Sequence, residues 1–241
     1  MSYSKFRSLK NGYKTLKAKD IGGYAKVEYS LIEDERLRPS FKLVYAYLRS
    51  YMNLKTQVSS VSISLLMKKT GYSNGTINEA IKSLKRHGII DVEKRASKVR
   101  DDAYSVYRFK INDERFAMIS NIFLDSSKLT SKEKEFIILI FPYILENDTI
   151  GSVFEPVTLT SLAKKIGLTR ATVSDRIESL KLKNLLFDYY SRNGGREHYT
   201  FVGYELNMKE IMLDNTNQII KERNELYEIV RENGITYETK C

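Results

Sequence analysis

The most specific chemistry in this chain belongs to the carboxamides of Asn74 and Asn78, one helical turn apart, and to the guanidinium of Arg170. A carboxamide carries a donor and an acceptor that match the adenine edge in the major groove of a duplex, and a guanidinium forks onto the two acceptors of guanine. The competing reading of each asparagine is a solvated helix position or a local cap. Around the asparagines stand Ser73, Thr76, Lys82 and Lys85, and around Arg170 stand Thr169, Thr172, Ser174, Asp175 and Lys181. Hydroxyls and ammonium groups in such company hold phosphate oxygens, which fixes register on a duplex without reading its bases. Two further cationic sets follow: Lys94, Arg95, Lys98 and Arg100, then Arg192 and Arg196 beside Asn193-Gly194-Gly195. Cations of this kind lie over phosphates or in a narrowed minor groove, where the negative potential is stronger.

Bond-breaking chemistry has little to work with. The chain has two histidines, His87 and His198, far apart in sequence, no Gly-rich loop ending in Gly-Lys-Ser/Thr and no Gly-x-Ser-x-Gly. The run Gly71-Tyr72-Ser73-Asn74-Gly75 superficially resembles a phosphate cradle, but a turn followed by a helix cap accounts for it. None of the 17 tyrosines has a visible activating group. The expectation is a protein that is not an enzyme and needs neither cofactor nor metal.

The elements that must position these side chains occur twice. Residues 61 to 92 reappear at 157 to 188 without a gap and with ten identities, among them Gly71/Gly167, Thr76/Thr172 and Leu84/Leu180. In each copy a helix begins at a serine or threonine cap, Ser62 or Thr158, and the pairs Val61/Leu66 and Val157/Leu162 have the spacing of a hydrophobic staple. Gly71 and Gly167 end that helix with a left-handed residue, and Ser73 and Thr169 cap the next one two positions later, which forces a steep crossing. The second helix turns Ile77, Ile81 and Leu84 inward in one copy and Val173, Ile177 and Leu180 in the other, leaving the polar residues above on the outside. A β-hairpin is predicted after each: Ile89–Glu93 and Tyr104–Ile111 about a charged tip, then Leu185–Tyr190 and His198–Leu206 about the Asn-Gly turn. A helix-turn-helix with an appended hairpin is a winged helix.

Each copy is preceded by a longer helix. In the first, Pro39 suits the opening turn and Val44, Tyr47, Leu48 and Tyr51 share a face. In the second, Thr130 and Glu133 form a capping box, Phe136, Ile137, Ile140, Phe141 and Ile144 supply the stripe, and Pro142 should kink the helix or hasten its end. The fold class is α+β, mainly α: a basic flexible arm (1–24), two winged helix-turn-helix domains (25–112 and 113–206), each with its own core, and a C-terminal helix and tail (207–241). The arm either touches phosphate or is a solvated tail. The apolar seam of 207–232 either packs on its own second domain or forms a homodimeric coiled coil.

The formal net charge is +10, and it is uneven: the first 112 residues carry +13 and the remainder −3. Attraction to an anionic polymer should fall on the N-terminal half, and the second unit could equally serve as a docking module. A single cysteine at the last position and no apolar run of about eighteen residues suit a reducing, cytoplasmic setting with no membrane partner.

Val27 to Asn53, followed by Gly71-Tyr72-Ser73 and Thr76-Ile77, resembles the opening domain of helix-turn-helix replication proteins from plasmids and phages of low-GC Gram-positive bacteria. Two successive winged helices in a chain of this size are also similar to plasmid replication initiators. The resemblance covers about residues 25 to 206 and implies binding of repeated origin sites on double-stranded DNA, with recruitment of host replication proteins. The alternatives are a transcriptional regulator of a mobile element, acting as a dimer on a two-fold operator, and a winged-helix module that docks proteins. The near-neutral second unit departs from an initiator whose two modules grip DNA equally.

Overall fold

A computed structural model describes residues 23–53, 56–96, 103–110, 115–145, 158–192 and 199–206. Residues 1–22 of the expected arm, the C-terminal helix and the tips carrying Lys98, Arg100 and Arg196 lie outside these residues, as does Val157 of the second staple, while Tyr24, expected to close the arm, is instead a strand residue.

The first half runs β1 (Tyr24–Glu28), α1 (Tyr29–Ile32), α2 (Pro39–Ser50), β2 (Val58–Ser59), α3 (Ile63–Thr70), α4 (Asn74–Arg86), β3 (Ile90–Ala96) and β4 (Ala103–Phe109). The second repeats most of that order: β5 (Phe116–Ser120), α5 (Asn121–Asp125), α6 (Ser131–Leu145), α7 (Leu159–Ile166), α8 (Arg170–Leu182), β6 (Leu186–Arg192) and β7 (Tyr199–Leu206). The predicted caps are all in place. Leu65 N–H donates to Ser62 Oγ at 3.1 Å and Ser161 N–H to Thr158 Oγ1 at 3.1 Å, satisfying amides that a helix start leaves open. The capping box of α6 closes both ways, with Thr130 N–H donating to Glu133 at 2.8 Å and Glu133 N–H to Thr130 Oγ1 at 3.3 Å.

Two expectations need correction. Periodicity predicts one apolar face each for α2 and α6, yet every side chain from Phe41 to Ser50 and from Glu133 to Pro142 is buried. A helix covered on all sides is a central one, and these two pack against each other. It follows that the halves do not keep separate cores: one continuous apolar cluster includes Leu48 and Ile77 from the first and Ile137 and Val173 from the second. The boundary drawn at 112/113 falls just before β5, which pairs antiparallel with β1 and completes the sheet begun in the first half. α6 continues through Pro142 to Leu145, so the proline does not end it at once.

Burial of α2 takes charged groups with it. Lys42 donates from Nζ to the Ile32 carbonyl at 2.6 Å, and burial pushes its ammonium down to about 8 against the pull of Asp34, Glu35 and Glu33. Arg49 is ion-paired with Glu28, and Tyr45 donates to the same carboxylate at 2.7 Å.

Both hairpins form, and the first arm of each runs longer than expected, to Ala96 and to Arg192. β3 pairs with β4 from Ile90↔Phe109 to Ala96↔Ala103, and β2 adds a third strand through Val58↔Arg108 and Ser59↔Tyr107. The two-residue β2 is too short for an alternation signal, which is why no strand is expected there from sequence. The second hairpin pairs β6 with β7 from Leu186↔Leu206 to Arg192↔Tyr199, with an irregularity between Tyr189 and Tyr190.

Candidate nucleic-acid interface

The first turn between helices is built as its residue types require. Gly71 sits at φ 68° and Gly167 at φ 67°, the left-handed region where a side chain would be strained. Thr76 N–H then donates to Ser73 Oγ at 3.2 Å, and Thr172 N–H to Thr169 Oγ1 at 3.2 Å. Ser73 and Thr169, placed among the DNA-contacting residues, therefore spend their hydroxyls as caps. Each also shares a hydrogen bond with the next hydroxyl along, Ser73 with Thr76 at 3.0 Å and Thr169 with Thr172 at 2.8 Å.

Ile77, Ala80, Ser83 and Leu84 bury the inner face of α4, and Ile81, expected inside, is only half-buried. That leaves Asn74, Lys82 and Lys85 exposed and Thr76 and Asn78 half-buried. The two asparagines bond to each other: Asn78 Nδ2 donates to the Asn74 side-chain oxygen and to its carbonyl at 3.0 Å. To read adenine, Asn78 must rotate away from this contact, which favours Asn74 as the freer reader. Glu79 lies on the same outer surface, held by Arg38 at 3.0 Å, so its charge is offset.

α8 buries Val173, Ile177 and Leu180 as predicted. Arg170 and Asp175 are exposed and Thr172 and Ser174 half-buried, while Lys181 is paired with Glu178 at 3.2 Å. The helix is clasped to the start of α6: Ser179 Oγ and Lys183 Nζ each reach Glu133 at 2.8 Å, and Arg176 donates to the Lys132 carbonyl at 3.1 Å. The turn between α3 and α4 is held by the same region. Tyr72 donates to Glu135, Ser131 to the Thr70 carbonyl, and Lys69 pairs with Asp125 at 3.3 Å. Burial, reinforced by Glu135, drives the Tyr72 phenol far above its ordinary value, so it remains a donor.

Glu133 makes this clasp sensitive to acid. Burial alone would raise its carboxyl, but the hydrogen bonds from Lys183, Thr130 and Ser179 outweigh it and hold the group below its ordinary 4.5. A depressed carboxylate stabilises the fold above its unfolded value, and that contribution disappears as pH falls through the folded value. Unfolding free energy measured between about pH 5 and pH 3 should therefore fall less steeply in Glu133→Gln than in the unaltered chain. Parallel pH curves would remove Glu133 as the sensitive group.

In the hairpins, the placement of the cations differs from expectation. Lys94 and Arg95 are strand residues, opposite Ser105 and Tyr104, and not part of the tip. Arg192 closes the second ladder opposite Tyr199. Cations missed from sequence are Lys68 and its counterpart Lys164, both exposed, on the first helix of each pair, the element that crosses the backbone in such units. The signal was present, since Lys68-Lys69 recurs as Lys164-Lys165 within the repeat. Exposed Arg86 in the last turn of α4 is a further cation that sequence reasoning missed.

A short helix, a glycine turn, a capped helix with a polar outer face and a following hairpin are thus assembled around α3 and α4. Residues 35–90 match the family model of a helix-turn-helix domain. That domain takes in α2, α3 and α4 and ends at the first residue of β3. No curated protein matches the chain. In helix-turn-helix domains that bind DNA the second helix is the one that enters the major groove, and α4 is the helix in that position here. No helix among the described residues is long and apolar enough to cross a membrane, and none of their His, Cys, Asp and Glu side chains group as a metal site would require.

Proposed function

We propose that the chain is a sequence-specific double-stranded DNA-binding protein with two winged helix-turn-helix domains, acting as a plasmid or phage replication initiator on repeated origin sites. The observation that carries the reading is the outer face of α4, where Asn74, Thr76 and Asn78 stand at the N-terminal end and Lys82 and Lys85 toward the other. That order places base-reading groups in the groove and cations over the flanking phosphates. The second unit repeats the scaffold with Arg170 in place of Asn74 and a more acidic surface, so it adds specificity more than affinity. The chemistry requires no cofactor and no catalytic residue. Host replication proteins are the further partners this role calls for, and a cytoplasmic location follows from it.

Footprinting on the DNA flanking the chain's own gene tests this. An initiator protects directly repeated sites in an origin, whereas protection confined to one promoter would replace initiation with regulation. Absence of protection in dilute buffer as well as at moderate salt would reject DNA binding. On a protected site, Asn74→Ala or Arg170→Ala should weaken binding by about 1–3 kcal/mol with little change on random duplex. Equal losses on both would make these residues backbone contacts.

A further inference from the structure

The turn on which α4 is mounted is held by side chains from outside the helix-turn-helix pair. Lys69 and Thr70 end α3, so their carbonyls find no donor within that helix and need one from elsewhere. Buried Tyr47 of α2 serves the first, its hydroxyl lying 3.1 Å from the Lys69 carbonyl and against the Leu124 carbonyl of α5 as well. Ser131, at the start of α6, donates to the Thr70 carbonyl. Asp125 of α5, its side chain 1% exposed, pairs with Lys69 at 3.3 Å. Tyr72 donates its phenol to Glu135 of α6, whose side chain is 2% exposed. Side chains of α2, α5 and α6 thus form a socket for residues 69–72, most of it contributed by the second half.

The second unit does not repeat this chemistry. Helices α2 and α6 start at Pro39 and Ser131, and counted from those starts Tyr47 corresponds to Leu139 and Glu135 to Leu43. In the sequence repeat Tyr72 corresponds to Leu168. None of these leucines can hydrogen-bond through its side chain. Lys165, the counterpart of Lys69, lies over the Tyr143 ring at 5.0 Å. Both units make the glycine turn, so the Tyr72–Glu135 bond is not something the turn requires. It belongs to the unit whose second helix carries Asn74 and Asn78.

Tyr72 directly precedes Ser73, the cap of α4, and Asn74, its first residue. Play at Tyr72 is therefore passed to the end of α4 where Asn74, Thr76 and Asn78 stand. Recognition tolerates little of it, since a reading group must be held to within about 0.5 Å by neighbours that are themselves locked. We propose that Glu135, acting through the Tyr72 hydroxyl, is a positioning residue for base reading by α4, setting the specificity of the first unit from within the second half. The inference rests on the DNA-binding reading above. Tyr47, Asp125 and Ser131 hold the same turn, so removal of one hydroxyl leaves the turn folded and alters its fine placement.

The test compares affinity for a duplex enriched from a randomised library by the unaltered chain with affinity for random duplex. Tyr72→Phe and Glu135→Ala should each lower the ratio of the two by about tenfold, through the enriched duplex alone. The salt dependence should keep its slope, because no phosphate contact is lost. Glu135→Gln, which still offers the phenol an acceptor, should retain most of the ratio. The double variant Tyr72→Phe, Glu135→Ala should lose no more than either single one, because both remove the same bond. Glu135→Ala removes the partner of Lys132 as well, so Tyr72→Phe is the deciding variant. An unchanged ratio in Tyr72→Phe, an equal loss on both duplexes, additive losses in the double variant, or unfolding of Tyr72→Phe would each overturn the positioning role while leaving DNA binding intact. Failure of the unaltered chain to enrich any duplex would overturn this inference together with the DNA-binding reading beneath it.

Discussion

Arg49→Ala should destabilise the folded chain by about 3–5 kcal/mol, the range for a buried charge that loses its partner. The Glu28 and Arg49 side chains are 0% and 3% exposed, so a carboxylate left behind has no water to turn to. Arg49 also donates from Nε to the Lys26 carbonyl at 3.0 Å and lies 4.8 Å from the centre of the Phe109 ring, and alanine can do neither. Urea titration of the single variant and of the Glu28→Gln, Arg49→Met pair separates the causes. The paired variant replaces both charges and should regain much of the loss. A single-variant cost below about 1 kcal/mol, the value of an exposed pair, would mean the charges are hydrated.

The second large effect concerns DNA. Converting Lys82, Lys85 and Lys94 together to glutamine should make the dependence of log affinity on log salt shallower by about 0.9 for each phosphate that is no longer neutralised. If each lysine neutralises one phosphate, affinity at about 0.1 M salt should fall by two to three decades, on specific and random duplex alike. All three side chains are exposed, so folding should be spared. The measurement is a salt titration of binding. An unchanged slope would place these lysines away from the backbone, and a loss confined to the specific site would make them readers of bases.

What the sequence carried well was whatever is decided by neighbours along the chain. Ser62, Ser73, Thr158 and Thr169 cap helices because a short hydroxyl next to an open amide acts over three residues, and Gly71 and Gly167 turn the chain because only their own φ is at stake. The helix-turn-helix around 71–73 was legible for that reason. What was missed depends on partners far away. Nothing local to Phe41–Ser50 reveals that a second helix covers its other side, so periodicity alone suggests one apolar face for α2 and gives no sign that Lys42 and Arg49 are buried. The same holds for β1, a five-residue strand whose partner begins more than eighty positions later. At the candidate interface, side-chain type identified Asn74, Asn78, Lys82 and Lys85, but the bond between the two asparagines and the pairing of Lys181 with Glu178 appeared only in three dimensions.

The apolar cluster that spans both halves has a practical consequence. A half-molecule ending at residue 112 would strip β1 of its neighbour and leave the buried flank of α2 facing water, and the complementary piece would do the same to α6. Neither piece should survive as a soluble reading head by itself. Melting of the intact polypeptide should accordingly be one cooperative event, and attempts to assign DNA affinity by cutting it in two would measure loss of folding before loss of grip.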